Sequence, residues 1–244
     1  MAYMSHIDTL FVVVQARYSS VRLPGKVLMP FLDSTILGCT VHSAQEAVGK
    51  EQVVLATSNE PSDDPVAEYC EQNGMRVFRG SLNNVAQRFA SLIDQLGATH
   101  IIRLSADSPL IDYRLIQRAI TEYENSPAQL VTNVAERSFP KGQSVELFEV
   151  AAFEKLLSST NDPDDLEHVT RFFYRNQDLF TVKNFRASND YSGLQMSVDT
   201  QEDYVRLTGF ADWLRDELPQ LGAEQRALKL QEYITLQKGT VDNA

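Results

Sequence analysis

The stretch from Val12 to Leu28, VVVQARYSSVRLPGKVL, decides the fold and points to the chemistry. It begins inside a short apolar run, Leu10 to Gln15, whose length and β-branched residues predict a buried strand. A loop with the cations Arg17, Arg22 and Lys26 follows, and no acidic residue occurs between positions 8 and 33. Ligands of open α/β sheets lie beyond the carboxyl ends of the strands. We therefore expect an anion, such as a nucleotide triphosphate, at this loop.

The composition is that of an ordinary globular protein, with 43% hydrophobic and 23% charged residues among 244. The net charge of -11 argues against a nucleic-acid surface, although one small pocket can still attract an anion. Cys39 and Cys70 are the only cysteines, and their spacing does not suggest a metal site. The sequence shows neither a signal peptide nor an apolar run of about 20 residues that would span a membrane. These features predict a cytoplasmic protein.

Strand-like and helix-like segments alternate up to about Gln129. This rhythm predicts an α/β fold with a mostly parallel sheet and helices on both faces. We expect a single domain over residues 1–244, in which residues 130–195 form a small substrate or dimerisation lobe. The later elements expected are a strand over Ser144–Phe148, a helix over Asp165–Asn176 and a strand over Leu194–Val198, and Ser34 is expected to cap the first helix.

The cationic loop matches neither common glycine-rich phosphate motif. Gly25 and Lys26 suit a Walker P-loop, but Ser20 and Val27 replace its first glycine and its Ser/Thr. The dinucleotide pattern G-x-G-x-x-G is also absent. On composition alone, a solvated basic surface loop is therefore an equal alternative to a phosphate site.

Asp107 and Asp199 each follow a predicted strand. If both strands belong to the parallel sheet, both carboxylates lie at the edge that carries the cationic loop. Two carboxylates beside a polyphosphate suggest Mg²⁺, which takes one or two protein carboxylates and completes its octahedron with phosphate and water. The alternative is that each aspartate caps the helix that follows it.

The motif Arg17-x-x-Ser20-x-Arg22-Leu23-Pro24-Gly25-Lys26 resembles the signature loop of the cytidylyltransferases that activate acidic sugars, the CMP-ketodeoxyoctonate and CMP-acylneuraminate synthetases. The rest of the chain is more similar to the spore coat polysaccharide biosynthesis protein F type. The matching segments are ATSNEPSDDPVAEYCEQNGMRVFRGS (56–81), SADSPLID (105–112), EHVTRFFYRN (167–176) and SVDTQED (197–203).

The resemblance implies a Rossmann-like nucleotide-diphospho-sugar transferase fold, often dimeric. It implies that CMP is transferred from CTP to a sugar or sugar phosphate, with release of pyrophosphate. Lys26, Arg17 and Arg22 would be catalytic, and Asp107 and Asp199 would hold Mg²⁺. The implied nucleotide contacts are Gln15, Ala16, Arg17, Ser20, Gly25, Lys26 and Arg79, and the implied substrate contacts are Glu146, His168 and Arg171.

The sequence departs from the family pattern at Ser144, where relatives often carry an aspartate two residues before the glutamate. This change makes the identity of the sugar less certain than the reaction class. His168 and Arg171 would face one pocket if both lie on one helix, although a histidine packed at a helix edge is equally compatible with the sequence. Two other functions stay open: a sugar-phosphate nucleotidyltransferase that uses another NTP, and a catalytically degraded nucleotide-binding module.

Overall fold

The computed structural model describes residue 7 and residues 9–241. Its centre is a seven-stranded sheet with the strand order β5-β4-β1-β6-β8-β7-β9. A two-stranded antiparallel hairpin, β2–β3, lies outside this sheet. The strands are β1 Leu10–Gln15, β2 Pro30–Phe31, β3 Ser34–Thr35, β4 Val53–Ser58, β5 Arg76–Gly80, β6 His100–Ser105, β7 Leu130–Thr132, β8 Glu146–Glu149 and β9 Val182–Asn184.

The helices fill the connections between the strands. The helices among the described residues are α1 Ile36–Val48, α2 Asp64–Gln72, α3 Val85–Leu96, α4 Tyr113–Asn125, α5 Val150–Ser159, α6 Pro163–Glu167, α7 Arg171–Arg175, α8 Gln201–Trp213 and α9 Ala223–Val241. No helix in the described part of the chain has both the length and the apolar character needed to cross a membrane.

Strands β1, β4, β5 and β6 are mutually parallel, whereas β8 runs antiparallel to both β6 and β7. Alternate residues of β1 point to opposite faces. Val12 and Val14 pack with α1, α2 and α4, while Val13 packs with α3, α5 and α7. The expected α/β sheet with helices on both faces is therefore confirmed. The parallel strands bring the loops after β1, β4, β5 and β6 to one edge.

The structure corrects the sequence predictions in the later part of the chain. The predicted strand Leu194–Val198 is not a strand of the sheet; it is represented by a single bridge between Gln195 and Lys141. The predicted helix over Asp165–Asn176 is two short helices, α6 and α7, separated at Val169, whose φ is +35°. A β-branched residue with positive φ cannot continue an α-helix.

Two smaller corrections concern the ends of elements. The side chain that caps α1 is Thr35, which accepts the N–H of Gly38, and not Ser34. The strand predicted from Ser144 begins two residues later, at Glu146. Both shifts are of one or two residues. They arise because short polar residues next to an apolar run can serve equally well as caps or turns.

Candidate active site

The loop after β1 is held in a tight conformation by its own backbone and by a neighbouring loop. The carbonyl of Tyr18 accepts the N–H groups of Ser20 and Gly25, each at 2.9 Å. Gly25 has φ +72°, and a Cβ at this position would lie 3.0 Å from the Tyr18 ring. The fully buried Asp63 carboxylate, from the loop after β4, accepts the Tyr18 N–H at 2.7 Å. The loop is thus a preformed structure in which glycine is required.

Lys26 lies at the edge of the sheet where the parallel strands end, and only 8% of its surface is exposed. Its ammonium donates to Asp107 Oδ2 at 2.8 Å, to Asp199 Oδ1 at 3.0 Å and to the Val198 carbonyl at 2.7 Å. Arg22 pairs with the same Asp199 oxygen at 2.9 Å. The two carboxylates, which are 92 residues apart, therefore meet at one cation. The placement predicted for these residues is found, even though the segment before Asp199 is not part of the sheet.

Neither aspartate is a helix cap, so that alternative is wrong. Helix α4 is capped by Asp112, which accepts the Arg114 N–H. Helix α8 is capped by Thr200, which forms a capping box with Asp203. The carboxylate oxygens that do not contact Lys26 are instead oriented by other side chains. Ser105 donates to Asp107 at 2.7 Å, and Gln195 donates to Asp199 at 3.1 Å.

The two carboxylates form a donor set that suits a magnesium ion bound together with a nucleotide. The Lys26 ammonium lies within hydrogen-bond distance of both carboxylates. The two carboxylates are therefore close enough to share one positive charge. No group of three or more His, Cys, Asp and Glu side chains in the described residues could hold a metal alone. Mg²⁺ characteristically uses one or two carboxylates and takes its other ligands from phosphate and water. The residues present therefore fit the expected metal.

The other predicted nucleotide contacts lie at the same edge. Gln15, at the end of β1, accepts a hydrogen bond from Arg103 at 3.1 Å. Ala16 is buried, and its N–H donates to the Ala56 carbonyl at 3.1 Å. Arg17 pairs with Glu167 at 3.3 Å, so the 167–171 segment is brought to the loop.

Arg79 lies at this edge, but its hydrogen bonds tie two loops together. It donates to the Ser58 and Glu60 carbonyls at 2.9 and 3.0 Å and pairs with Asp64 at 2.6 Å. Its guanidinium therefore fixes the loop after β4 against the end of β5. Any contact of Arg79 with a nucleotide would come in addition to this structural role.

Glu146 is buried and fully engaged by protein groups. Arg103 pairs with its Oε2 at 2.5 Å, and Thr170 and Tyr174 donate to its Oε1 at 2.7 and 2.5 Å. Burial, and next the Glu146 carboxylate, hold the pKa of Tyr174 well above its usual range, which keeps this phenol a donor. Since Arg103 also contacts Gln15, the network joins Glu146, Thr170 and Tyr174 to the end of β1.

The predicted pairing of His168 and Arg171 on one helix is wrong. His168 follows α6 directly as its C-cap residue, and Arg171 begins α7 beyond the break at Val169. His168 is exposed, whereas Arg171 turns back to pair with Asp164 at 2.7 Å. The hydrogen bond to Asp164 raises the pKa of Arg171 above its usual value. The two residues do not share a helix face, and it is Glu167 that contacts the loop through Arg17.

One functional candidate was missed in the sequence. Arg88 is completely buried, and its Nη1 donates to the Ser81 carbonyl at 3.1 Å. Its Nε and Nη2 have no hydrogen-bond partner. Burial, and next the positive charges of Arg17 and Arg103, lower the pKa of Arg88 to about 10. The signal was present, because Arg88 falls three residues after Val85 on the apolar stripe of a predicted helix.

Similarity to known proteins shows the family of this chain. The family model described as cytidylyltransferase matches residues 11–239. Spore coat polysaccharide biosynthesis protein SpsF of Bacillus subtilis is 29% identical over 97% of this chain and 97% of its own length. The 3-deoxy-manno-octulosonate cytidylyltransferase of Psychromonas ingrahamii is 26% identical over 78% of this chain and 73% of its own.

Solved structures show the same fold. A cytidylyltransferase from Leptospira borgpetersenii is 31% identical, with a TM-score of 0.84 and coverage of 97% of this chain and 98% of that one. A CMP-2-keto-3-deoxy-manno-octonic acid synthetase, solved with CTP, shares the fold at 14% identity and a TM-score of 0.64, over 84% of this chain and 99% of that one. The expected nucleotidyltransferase fold is confirmed. Because the family model spans most of the sequence, this chain belongs to the cytidylyltransferase family.

Proposed function

We propose that this protein transfers CMP from CTP to a sugar for the synthesis of a surface polysaccharide or glycan. The observation that carries the proposal is the Lys26 ammonium held between Asp107 and Asp199, beside Arg22 on a preformed loop. A sugar hydroxyl oxygen forms a bond to the α-phosphorus while the bond to the bridging oxygen of the β-phosphate breaks. Pyrophosphate leaves with the electron pair, and the hydroxyl proton passes to solvent.

The loop residues would bind the triphosphate. Lys26, Arg17 and Arg22 would neutralise phosphate oxygens, since phosphoryl transfer is catalysed mainly by positioning and by charge stabilisation. Ser20 and Gly25 would shape the loop around the phosphates, since both donate their N–H groups to the Tyr18 carbonyl and Gly25 leaves room for the Tyr18 ring. Gln15, Ala16 and Arg79 are the proposed contacts of the base and ribose.

Asp107 and Asp199 would hold Mg²⁺ when the nucleotide is bound. When bound, the ion would supply positive charge to the phosphate oxygens during bond cleavage. A protein of the same fold from Mycobacterium tuberculosis, 20% identical with a TM-score of 0.58, has been solved as a complex with manganese. The role of this chain's residues is to present two carboxylates that Ser105 and Gln195 keep oriented.

The sugar would bind against the lobe formed by residues 130–195. Glu146, His168 and Arg171 are the proposed contacts, with Glu146 acting through the hydroxyl groups that it holds in place. The proposal includes a cytoplasmic location and a homodimer. Sedimentation at micromolar concentration would test the dimer.

The test is a pyrophosphate-release assay with four NTPs, each with and without Mg²⁺, against a panel of acidic, amino and phosphorylated sugars. We expect release with CTP and Mg²⁺ and at least tenfold slower release with the other nucleotides. If ATP or GTP gave the same rate as CTP, the assignment of CTP as the donor nucleotide would be wrong. No release with any combination would favour a degraded nucleotide-binding module.

A further inference from the structure

The N–H donors of the Lys26 ammonium are all used within the protein. A lysine ammonium carries three such donors. Those of Lys26 are directed to Asp107 Oδ2 at 2.8 Å, the Val198 carbonyl at 2.7 Å and Asp199 Oδ1 at 3.0 Å. Lys26 can therefore bind a phosphate oxygen only by giving up at least one of these three contacts.

Each of the two carboxylates gives its other oxygen to a neutral side chain. Ser105 donates to Asp107 Oδ1 at 2.7 Å. Gln195 donates to Asp199 Oδ2 at 3.1 Å. The oxygens that meet at one point are Asp107 Oδ2 and Asp199 Oδ1, since both contact the Lys26 ammonium. A divalent metal bound by both carboxylates would need these two oxygens, so it competes with Lys26 for them.

The protein balances the charges of this cluster by itself. Asp107 and Asp199 bring two negative charges. Lys26 brings one positive charge, and Arg22, which pairs with Asp199 Oδ1 at 2.9 Å, brings a second. A divalent cation that approaches this neutral cluster is repelled at short range by both side-chain cations. Lys26 also has the advantage of being tethered beside the two oxygens by its own chain.

We propose that Lys26 excludes a divalent metal from Asp107 and Asp199 until the phosphates of a nucleotide draw the ammonium away. This inference rests on the proposed function and names how metal binding at its site is regulated. Lys26 thereby has a role before the chemical step, as an internal cation that the two carboxylates share.

Phosphates reverse the competition between Lys26 and the metal. A triphosphate at the loop brings anionic oxygens to which Lys26 and Arg22 can donate. When Lys26 donates to a phosphate, Asp107 Oδ2 and Asp199 Oδ1 become available, and phosphate oxygens are themselves ligands that suit Mg²⁺. Nucleotide and metal should therefore each strengthen the binding of the other, since such coupling is reciprocal.

The test is metal binding in the absence of any nucleotide. The electron paramagnetic resonance signal of free Mn²⁺ falls as the ion binds, so a titration gives a Kd that does not depend on activity. We expect Lys26→Met to lower this Kd about tenfold or more, because it removes a positive charge in direct contact with both carboxylates. Lys26→Met/Asp107→Asn should lose the gain, which separates this pair from the other acidic groups of a protein with a net charge of -11.

Arg22→Gln provides a second variant, in which Lys26 is kept. The Arg22 side chain is 63% exposed and contacts only one of the two carboxylates, so its removal should lower the Kd less, about threefold. This variant decides the question if circular dichroism shows that Lys26→Met does not fold. The matched control is Lys50→Met, a lysine that precedes β4, which should leave the Kd within about twofold because it is remote from the two carboxylates.

The coupling to the nucleotide is tested with the wild type by titration calorimetry. CTP should bind about tenfold tighter with Mg²⁺ than with EDTA. Equal CTP affinities in the two conditions would overturn the inference.

The inference is also overturned if Lys26→Met, or Arg22→Gln where Lys26→Met does not fold, binds Mn²⁺ no more tightly than the wild type. A gain in Mn²⁺ affinity that survives Asp107→Asn overturns it as well. The proposed function fails separately, in the pyrophosphate-release assay. Release of pyrophosphate without the gain refutes this inference alone, whereas the gain without release from any nucleotide refutes the transfer reaction and keeps Lys26 as the group that excludes the metal.

Discussion

The proposed nucleotide side and the proposed sugar side of the site differ in which charge is buried. On the nucleotide side, the Lys26 cation is buried between two carboxylates that remain partly accessible. On the proposed sugar side, the carboxylate of Glu146 is buried under three donors, Arg103, Thr170 and Tyr174. The first arrangement suits a ligand that brings both a metal cation and phosphates. The second satisfies its carboxylate within the protein and leaves none free for a metal ion.

The largest effect is expected on the nucleotide side. Asp107→Asn and Asp199→Asn should each lower turnover about a thousandfold, roughly 4 kcal/mol, because the amide removes the charge that a metal ion needs. Each variant should still fold, since the helix caps are Asp112 and Thr200 and Lys26 keeps its other carboxylate. Steady-state pyrophosphate release gives the rate, and Asp212→Asn, on the surface of α8, is the matched control. Near-normal turnover in either variant would remove that residue from the proposed metal site.

A substitution on the proposed sugar side should lower the free energy of unfolding. Glu146→Gln leaves the half-buried Arg103 guanidinium without its counter-charge, and losing one partner of such a pair costs about 3 kcal/mol. Urea unfolding followed by circular dichroism measures the change in the free energy of unfolding. The control Glu136→Gln breaks an exposed pair with Arg186 and should leave that free energy unchanged within error. Equal effects of the two variants would contradict the contrast between the two sides.

Nucleotide binding should stabilise the folded protein selectively. A ligand at 100 times its Kd adds about 2.7 kcal/mol to the free energy of unfolding, which is visible as a rise in Tm. We expect CTP with Mg²⁺ to raise the Tm more than ATP or GTP at the same concentration. Equal shifts with all nucleotides would reduce the site to a phosphate-binding loop without base selection.

The smallest effect concerns the thiols, which lie outside both sides of the site. Burial, and next Asp33, raise the pKa of Cys39 to about 11, and burial with Glu71 raises that of Cys70 to about 12. Both thiols are therefore protonated at pH 8 and should react slowly with iodoacetamide. Mass spectrometry should find the native protein mostly unmodified under conditions that label a free cysteine peptide. Rapid labelling of either residue would contradict the raised pKa of its thiol.

The two sides also differ in how far they could be predicted from the sequence. The loop from Arg17 to Lys26 and the segment around Asp107 follow strands of a regular parallel sheet, so local pattern was enough to place them. The break at Val169 could not be foreseen, because the apolar spacing there continues as in a helix. The contacts of Glu146 join residues from several separate segments, and such long-range pairing is not visible in local periodicity.

The central claim is that Lys26 and its two carboxylates form the site of CTP cleavage. Turnover of Lys26→Ala and Lys26→Arg at saturating CTP tests it most directly, with Lys50→Ala as the control, because Lys50 precedes β4 and lies at the opposite edge of the sheet. We predict a loss of about a hundredfold for Lys26→Ala, roughly 2.7 kcal/mol. The arginine variant should recover only part of that loss, since the space between Asp107 and Asp199 holds a compact ammonium. A loss smaller than about threefold, under 1 kcal/mol, would contradict the claim.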